Sequence, residues 1–214
     1  MRAFFSRIAA TVALGAVAAL ASAQGAPIAG RDYLVIDVPQ PVSPGATVEV
    51  IEFFYYGCPV CYESQPHIGR WLANSGPDVS LIRVPSAFSA ESESYALTFY
   101  ALQDGGHLAR MHGPVYENHQ FDGLRLSDEK NLLDWLARNG VDAGAFRALR
   151  DSEGNRAQVA NGRRIFEAYD VKGVPAFAVD GRYLTSARLA GSVKEMMEVV
   201  AYLVGRAREE RLTK

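Results

Sequence analysis

The two cysteines of the 214-residue chain stand three apart, in Cys58-Pro59-Val60-Cys61. This spacing lets one helical turn bring two sulfurs together, and it suits a redox dithiol or half of a metal site. The pair follows an apolar run from Thr47 to Tyr56 and precedes Tyr62 to Trp71, which has the pattern of a helix. A thiol at a helix N-terminus faces free N–H groups and the positive end of the helix dipole, and both favour its thiolate. Cys58 is therefore the expected nucleophile, the more exposed thiol with the lower pKa. Cys61, one turn further in, is the expected resolving thiol. In the exchange this predicts, a substrate thiolate attacks the Cys58 sulfur of the oxidised pair and forms a mixed disulfide. A second substrate thiol resolves it and leaves both cysteines reduced. Zinc would need three or four protein ligands. His67, His107, His112 and His119 are the imidazoles present, and their spacing forms no recognised ligand set. Neither a metal nor a cofactor is expected.

Two other positions bear on the dithiol. Glu52 interrupts the apolar run and by alternation shares a face with Phe54 and Tyr56. A carboxylate is rarely buried without a partner or a task. Two readings of it stand. It is either a desolvated acid that passes protons to and from Cys61, or a glutamate without a redox role that is edge-exposed or paired with a lysine such as Lys172. Val174-Pro175 opens a strand after Gly173. A cis bond there would turn the Val174 backbone toward the dithiol, where it can pair with an extended substrate. A plain strand-opening proline accounts for the same residues, and most X–Pro bonds are trans.

The remaining chain must position these groups. Arg2 and Arg7 frame the start of an apolar run, Ile8 to Leu20, that is short for a membrane span. Ala21-Ser22-Ala23 is a small-x-small cleavage signal, so residues 1–23 read as a signal peptide. An uncleaved anchor is the alternative, and no cysteine follows the run to carry a lipid. Export favours a disulfide for a lone cysteine pair. A bridge over so short a loop removes little unfolded-state entropy, so a catalytic pair is favoured over a structural one. The chain is 49% apolar and 21% charged, with a formal net charge of -2. That is an ordinary globular balance, without the basic stripe that nucleic acid would require.

After a Gly/Ala/Pro-rich lead-in, Tyr33 to Ile36 predicts a short strand and Thr47 to Tyr56 a strand covered on both faces. Pro59 belongs to the first turn of the following helix, and Pro66 should kink or interrupt it. Val79 to Val84 is the next strand. Strand signals then stop. Helices are predicted over 94–102, over 108–118 with an interruption at Gly113-Pro114, from 130 to 137 with Ser127 as cap, over 142–150 and over 159–169. Gly173 to Val179 and Arg182 to Thr185 resume as strands around an Asp180-Gly181 turn. A final helix begins at Ser192, with fraying from Glu209. The expectation is an α/β fold in three parts after the leader: 24–85, a helical insertion 86–162, and 163–214.

Glu52-Phe53-Phe54-Tyr55-Tyr56-Gly57-Cys58-Pro59-Val60-Cys61-Tyr62 and Gly173-Val174-Pro175-Ala176 resemble the thioredoxin-fold dithiol oxidases of the bacterial periplasm, the DsbA family. The leader and the helical insertion match as well, so the resemblance covers about 33–202. It implies a thioredoxin-like fold with an inserted helical domain and a periplasmic thiol:disulfide oxidoreductase. By the resemblance, Cys58 is the nucleophile, Cys61 the resolving thiol, Glu52 the buried proton-transfer carboxylate and Pro175 a cis-proline beside the site. Val174, Pro175, Pro59 and Val60 are then the substrate-contacting residues. The implied partners are reduced exported proteins and a DsbB-like, quinone-linked membrane protein that reoxidises the pair, with the chain a monomer.

One position departs from the best-known members, which carry histidine where Val60 stands. Valine offers no charge to the Cys58 thiolate, so a higher Cys58 pKa and a weaker oxidant are expected. The insertion is expected to form a substrate groove with the α/β part, with Tyr55, Tyr56 and Tyr62 at its rim or in the core. His112 and His119 are expected as surface or packing residues. The nearest alternative function is a reductase or isomerase of the same fold. Such proteins often carry an N-terminal dimerisation domain, for which the segment before Tyr33 is short. A dithiol metal carrier and a chaperone-like peptide-binding module are the more distant alternatives.

Overall fold

The computed structural model describes residues 25–42, 45 and 47–213. The expected leader, 1–23, lies outside the described residues. Five strands build one sheet: β1 (Leu34–Val35), β2 (Val48–Phe54), β3 (Val79–Pro85), β4 (Ala176–Val179) and β5 (Tyr183–Ser186). Their spatial order is β1-β5-β4-β2-β3, with β2 and β3 parallel and the other pairs antiparallel. Strand β2 is thus paired on both edges. Its Ile51 and Phe53 pack on one face of the sheet, and Val48 and Val50 join the cluster on the other. That double cover is why its sequence is almost continuously apolar.

Helix α1 (Pro59–Asn74) follows β2. Between β3 and β4 come α2 (Ala90–Asp104), α3 (Leu108–Phe121), α4 (Glu129–Arg138), α5 (Ala143–Arg150) and α6 (Glu153–Ala168). After β5 come α7 (Ala187–Ala190) and α8 (Val193–Leu212). One cluster, with Ile68 of α1 and Met196, Val200 and Leu203 of α8, covers the Val48 and Val50 side of the sheet. A second joins Phe54 and Tyr56 to the helical block through Phe99, Val115, Tyr116 and Leu132. Glu52 stands on β2 between Val50 of the first cluster and Phe54 of the second. A third cluster places Phe166 of α6 edge-on to Phe53 at 4.8 Å.

Several local expectations are corrected. Neither Pro66 nor Pro114 interrupts its helix. Buried residues flank both prolines, Cys61, Ser64 and Ile68 around the first and Met111, Val115 and Tyr116 around the second. Packing on both sides outweighs the lost backbone bond. Asp128, not Ser127, caps α4, because its carboxylate accepts from the Asn131 N–H at 3.1 Å. Helix α2 starts earlier than predicted, at a capping box of Ser89 and Ser92, and α6 starts at Glu153 under a Ser152 cap. The short α7 was not signalled beyond Ser186, which caps it. The end of α8 does not fray at Glu209: Glu210 accepts from Tyr183 Oη at 2.6 Å and Arg182 at 2.8 Å, and Arg211 pairs with Asp180. At the Asp180-Gly181 turn φ is 52° and 70°, the doubly positive geometry that an Asp-Gly hairpin turn supplies.

Candidate active site

Cys58 is the N-cap of α1, with extended backbone at φ -96° and ψ 113°, and Pro59 follows in the first turn. Its Sγ accepts from the Cys61 N–H at 3.3 Å. Both cysteines are free thiols, Cys58 partly exposed and Cys61 fully buried. The hydrogen bond from the Cys61 thiol lowers the Cys58 pKa to about 6, against burial, and the Cys61 and Val60 backbone N–H groups add to it. Burial pushes Cys61 far the other way, reinforced by the hydrogen bond it gives to Cys58. The Val174–Pro175 peptide bond is cis, and the Cys58 thiol donates to the Val174 carbonyl at 3.7 Å. Val60, Val174 and Pro175, with Leu34, Leu184 and Leu189, line a cavity of about 300 Å³. Pro59 and Val60 are exposed at the tip of α1.

This cavity differs from the groove expected between the insertion and the α/β part. None of its lining residues falls in 86–162. Another cavity, between the insertion and the α/β part, is lined by Gln65, Arg83, Gln103, Leu108, Ala109 and His112. It opens beside Glu52's partners rather than beside Cys58.

Glu52 is fully buried. Its Oε1 accepts from Gln65 Nε2 at 2.9 Å, and its Oε2 accepts from Arg83 Nε at 2.9 Å. Glu52 and Arg83 are register partners across β2 and β3, so both side chains leave the same face. The edge and lysine readings of Glu52 are therefore overturned. Lys172 is exposed and pairs with Asp170. Burial raises the Glu52 pKa, opposed by Arg83 and Gln65. The Gln65 amide also donates to the Cys61 carbonyl at 3.2 Å, which ties Glu52 to the turn of α1 that carries the buried thiol. Arg83 and Gln65 went unnoticed in the sequence. The available signal was Arg83, a lone charge in the apolar run 79–84.

Tyr55 and Tyr62 line neither of these cavities and are half-buried against the helical cluster: Tyr55 stacks on Tyr95 at 5.3 Å, and Tyr62 meets exposed Phe121 edge-on at 5.4 Å. Tyr56 is core and shares a 2.8 Å hydrogen bond with His112 Nδ1. His119 binds the Leu124 carbonyl at 2.7 Å, so both histidines serve packing. Among the described residues, no group of three His, Cys, Asp or Glu is placed to hold a metal ion.

A family model described as a DSBA-like thioredoxin domain matches residues 81–198. The thiol:disulfide interchange protein DsbA of Bordetella pertussis is 36% identical over 211 residues, 96% of this chain and 98% of its own. The chain belongs to the DsbA family. DsbA of Burkholderia cepacia is 33% identical over 203 residues, 94% and 96% of the two chains. The crystal structure of Pseudomonas aeruginosa DsbA superposes with a TM-score of 0.82 at 30% identity, over 86% of this chain and 96% of that one. As a DsbA-family protein the chain has a thioredoxin-like α/β core with added helices. It is a protein dithiol:disulfide oxidoreductase that introduces disulfides through a Cys-x-x-Cys pair. DsbA membership implies a periplasmic setting and a DsbB-type reoxidant.

Proposed function

We propose that Cys58 and Cys61 are the exchanging pair, with Cys58 attacked by substrate and Cys61 released as the resolving thiol. The observation that carries this is their inequality. Cys58 Sγ sits at a helix N-terminus with a pKa near 6, while Cys61 is sealed in the core with its pKa raised. A thiolate stabilised at Cys58 is a good leaving group, which favours the oxidising direction of exchange. Glu52 is the carboxylate through which Cys61 gains and loses its proton; the Gln65 bridge supports this role. Val174 and Pro175 bind an extended substrate segment, and Pro59 and Val60 contact the same segment from the tip of α1.

The chain acts after its own residues 1–23 have been removed; its substrates are reduced exported proteins, and a quinone-linked DsbB-like membrane protein reoxidises the monomeric chain. The division into 24–85, 86–162 and 163–214 is part of this reading. Along α6, Val159 packs in the helical cluster and Phe166 on the sheet. Gly162 lies between them within the same helix, where a Cβ would meet Tyr100 Oη at 3.1 Å and Val84 Cγ1 at 3.4 Å, and this supports a changeover along α6.

The test is the equilibrium redox potential of the pair against glutathione. A value well above the roughly -270 mV of thioredoxin is expected. A thioredoxin-like value would point to a reductase.

A further inference from the structure

Tyr116 lies on α3, and its ring is fully buried. It packs edge-on to Tyr56 with centroids 4.7 Å apart, and its centroid is 6.1 Å from that of Tyr62, the residue after Cys61. It belongs to the same cluster as Cys61, with Cys58 packed against that cluster. The hydroxyl is shielded from solvent and has no hydrogen-bond partner among the described residues. A buried unpartnered hydroxyl lowers stability, and phenylalanine would fill the same space without it. Burial keeps the phenol protonated, and the charge felt most strongly there is that of Cys61, followed by Glu52.

A negative charge at Cys61 arises only during exchange. When a substrate thiolate attacks Cys58 Sγ of the disulfide form, the S–S bond breaks and its electron pair stays on Cys61 Sγ. That sulfur is buried, and burial disfavours the anion. In the dithiol form Cys61 is a neutral donor to Cys58 and needs no such help.

We propose that Tyr116 is a further catalytic donor of this enzyme: its hydroxyl hydrogen-bonds the nascent Cys61 thiolate as the Cys58–Cys61 disulfide opens. The phenol keeps its proton throughout. Cys61 is reprotonated from water by way of Glu52, and Tyr116 returns to its unpartnered state. The proposal rests on Cys61 being the released thiol.

The test compares wild type with Tyr116→Phe as full chains in the oxidised form. Each is opened with dithiothreitol, and the rate is read by quenched thiol alkylation. A hydrogen bond to a charged group confined to the transition state predicts a rate about tenfold lower in the variant. The equilibrium constant with glutathione stays within about twofold and thermal stability does not fall, because neither end state uses the bond. An unchanged rate overturns the proposal. So does a slower rate accompanied by an equal change in the equilibrium constant or by lower stability, since that is a packing effect. In parallel, Cys61→Ala is treated with oxidised glutathione. A lasting adduct at Cys58 upholds Cys61 as the resolving thiol, so a failure of Tyr116→Phe then counts against Tyr116 alone. No adduct would overturn the assignment of Cys61.

Discussion

Cys58 and Cys61 share one turn of one helix, yet their surroundings differ in almost every respect. The Cys58 side is open, backed by the Val174 carbonyl and a cavity built from the α/β part. The Cys61 side is closed by β2, by Glu52 with its two donors, and by the helical block that brings Tyr116. The open side favours an anion through backbone N–H groups, and the closed side penalises one through desolvation. Identical side chains three residues apart thereby differ in exposure and pKa, one accessible and inclined to ionise, the other buried and held protonated. Position on the helix creates the first difference, and the layer laid over the helix creates the second.

The largest test of this contrast removes one thiol at a time. Challenged with a disulfide-bonded peptide, Cys61→Ser should accumulate a mixed disulfide at Cys58, whereas Cys58→Ser should form none because Cys61 is inaccessible. Both should lose net oxidation of thiols. Non-reducing electrophoresis with mass mapping reads the adduct, and an adduct on Cys61 would reverse the assignment.

The next effect concerns Glu52. Removing one partner of a buried ion pair commonly costs about 3–5 kcal/mol. Arg83 is a quarter exposed and Glu52 can take up a proton, so Arg83→Ala should cost about 2 kcal/mol at pH 7. The pH dependence has a definite sign. The folded Glu52 pKa lies above its ordinary 4.5, so the native state holds a proton that the unfolded chain has already lost. The contribution of Glu52 to stability should fall as pH rises from 4.5 through the folded value, and the loss is complete above it. Glu52→Gln should remove that contribution and be the more stable protein at pH 7. The cost of Arg83→Ala should shrink at pH 4. Urea denaturation at pH 4 and pH 8 measures both as differences from wild type, because the lowered pKa values of Cys58 and His112 make the wild-type stability rise with pH over the same interval; a Glu52→Gln effect that is the same at the two pH values would refute the buried-acid account.

The smallest effect is at Val60, which is exposed on the open side. Val60→His should lower the Cys58 pKa further below about 6. The gain should be under tenfold in the thiolate equilibrium, as for other exposed charge contacts. Cys61 should not respond. Thiolate absorbance against pH reads the change; no fall would mean that an imidazole at position 60 does not stabilise the sulfur.

Much of this site was legible in the residues. The strand before the pair, the helix after it and the returning strand at Pro175 each follow from short-range pattern. The helix interruptions at Pro66 and Pro114 were misjudged for the opposite reason. Local propensity predicts a break, and only the packing of Ile68, Val115 and Tyr116 holds those helices whole.

The sequence alone determined the dithiol, its place at a helix start, the Glu52 anomaly and the α/β–helical–α/β order, because these depend on neighbours in the chain. Tertiary structure decided that Arg83 and Gln65, not a lysine, meet Glu52. It also decided that the cavity beside Cys58 belongs to the α/β part, and that Tyr116 joins the cluster that buries Cys61. Those depend on which strands pair and which helix covers which, and the partners are brought together from 13 and 31 residues away at Glu52 and from 116 residues away at Val174. Burial then turned two equal thiols into unequal ones.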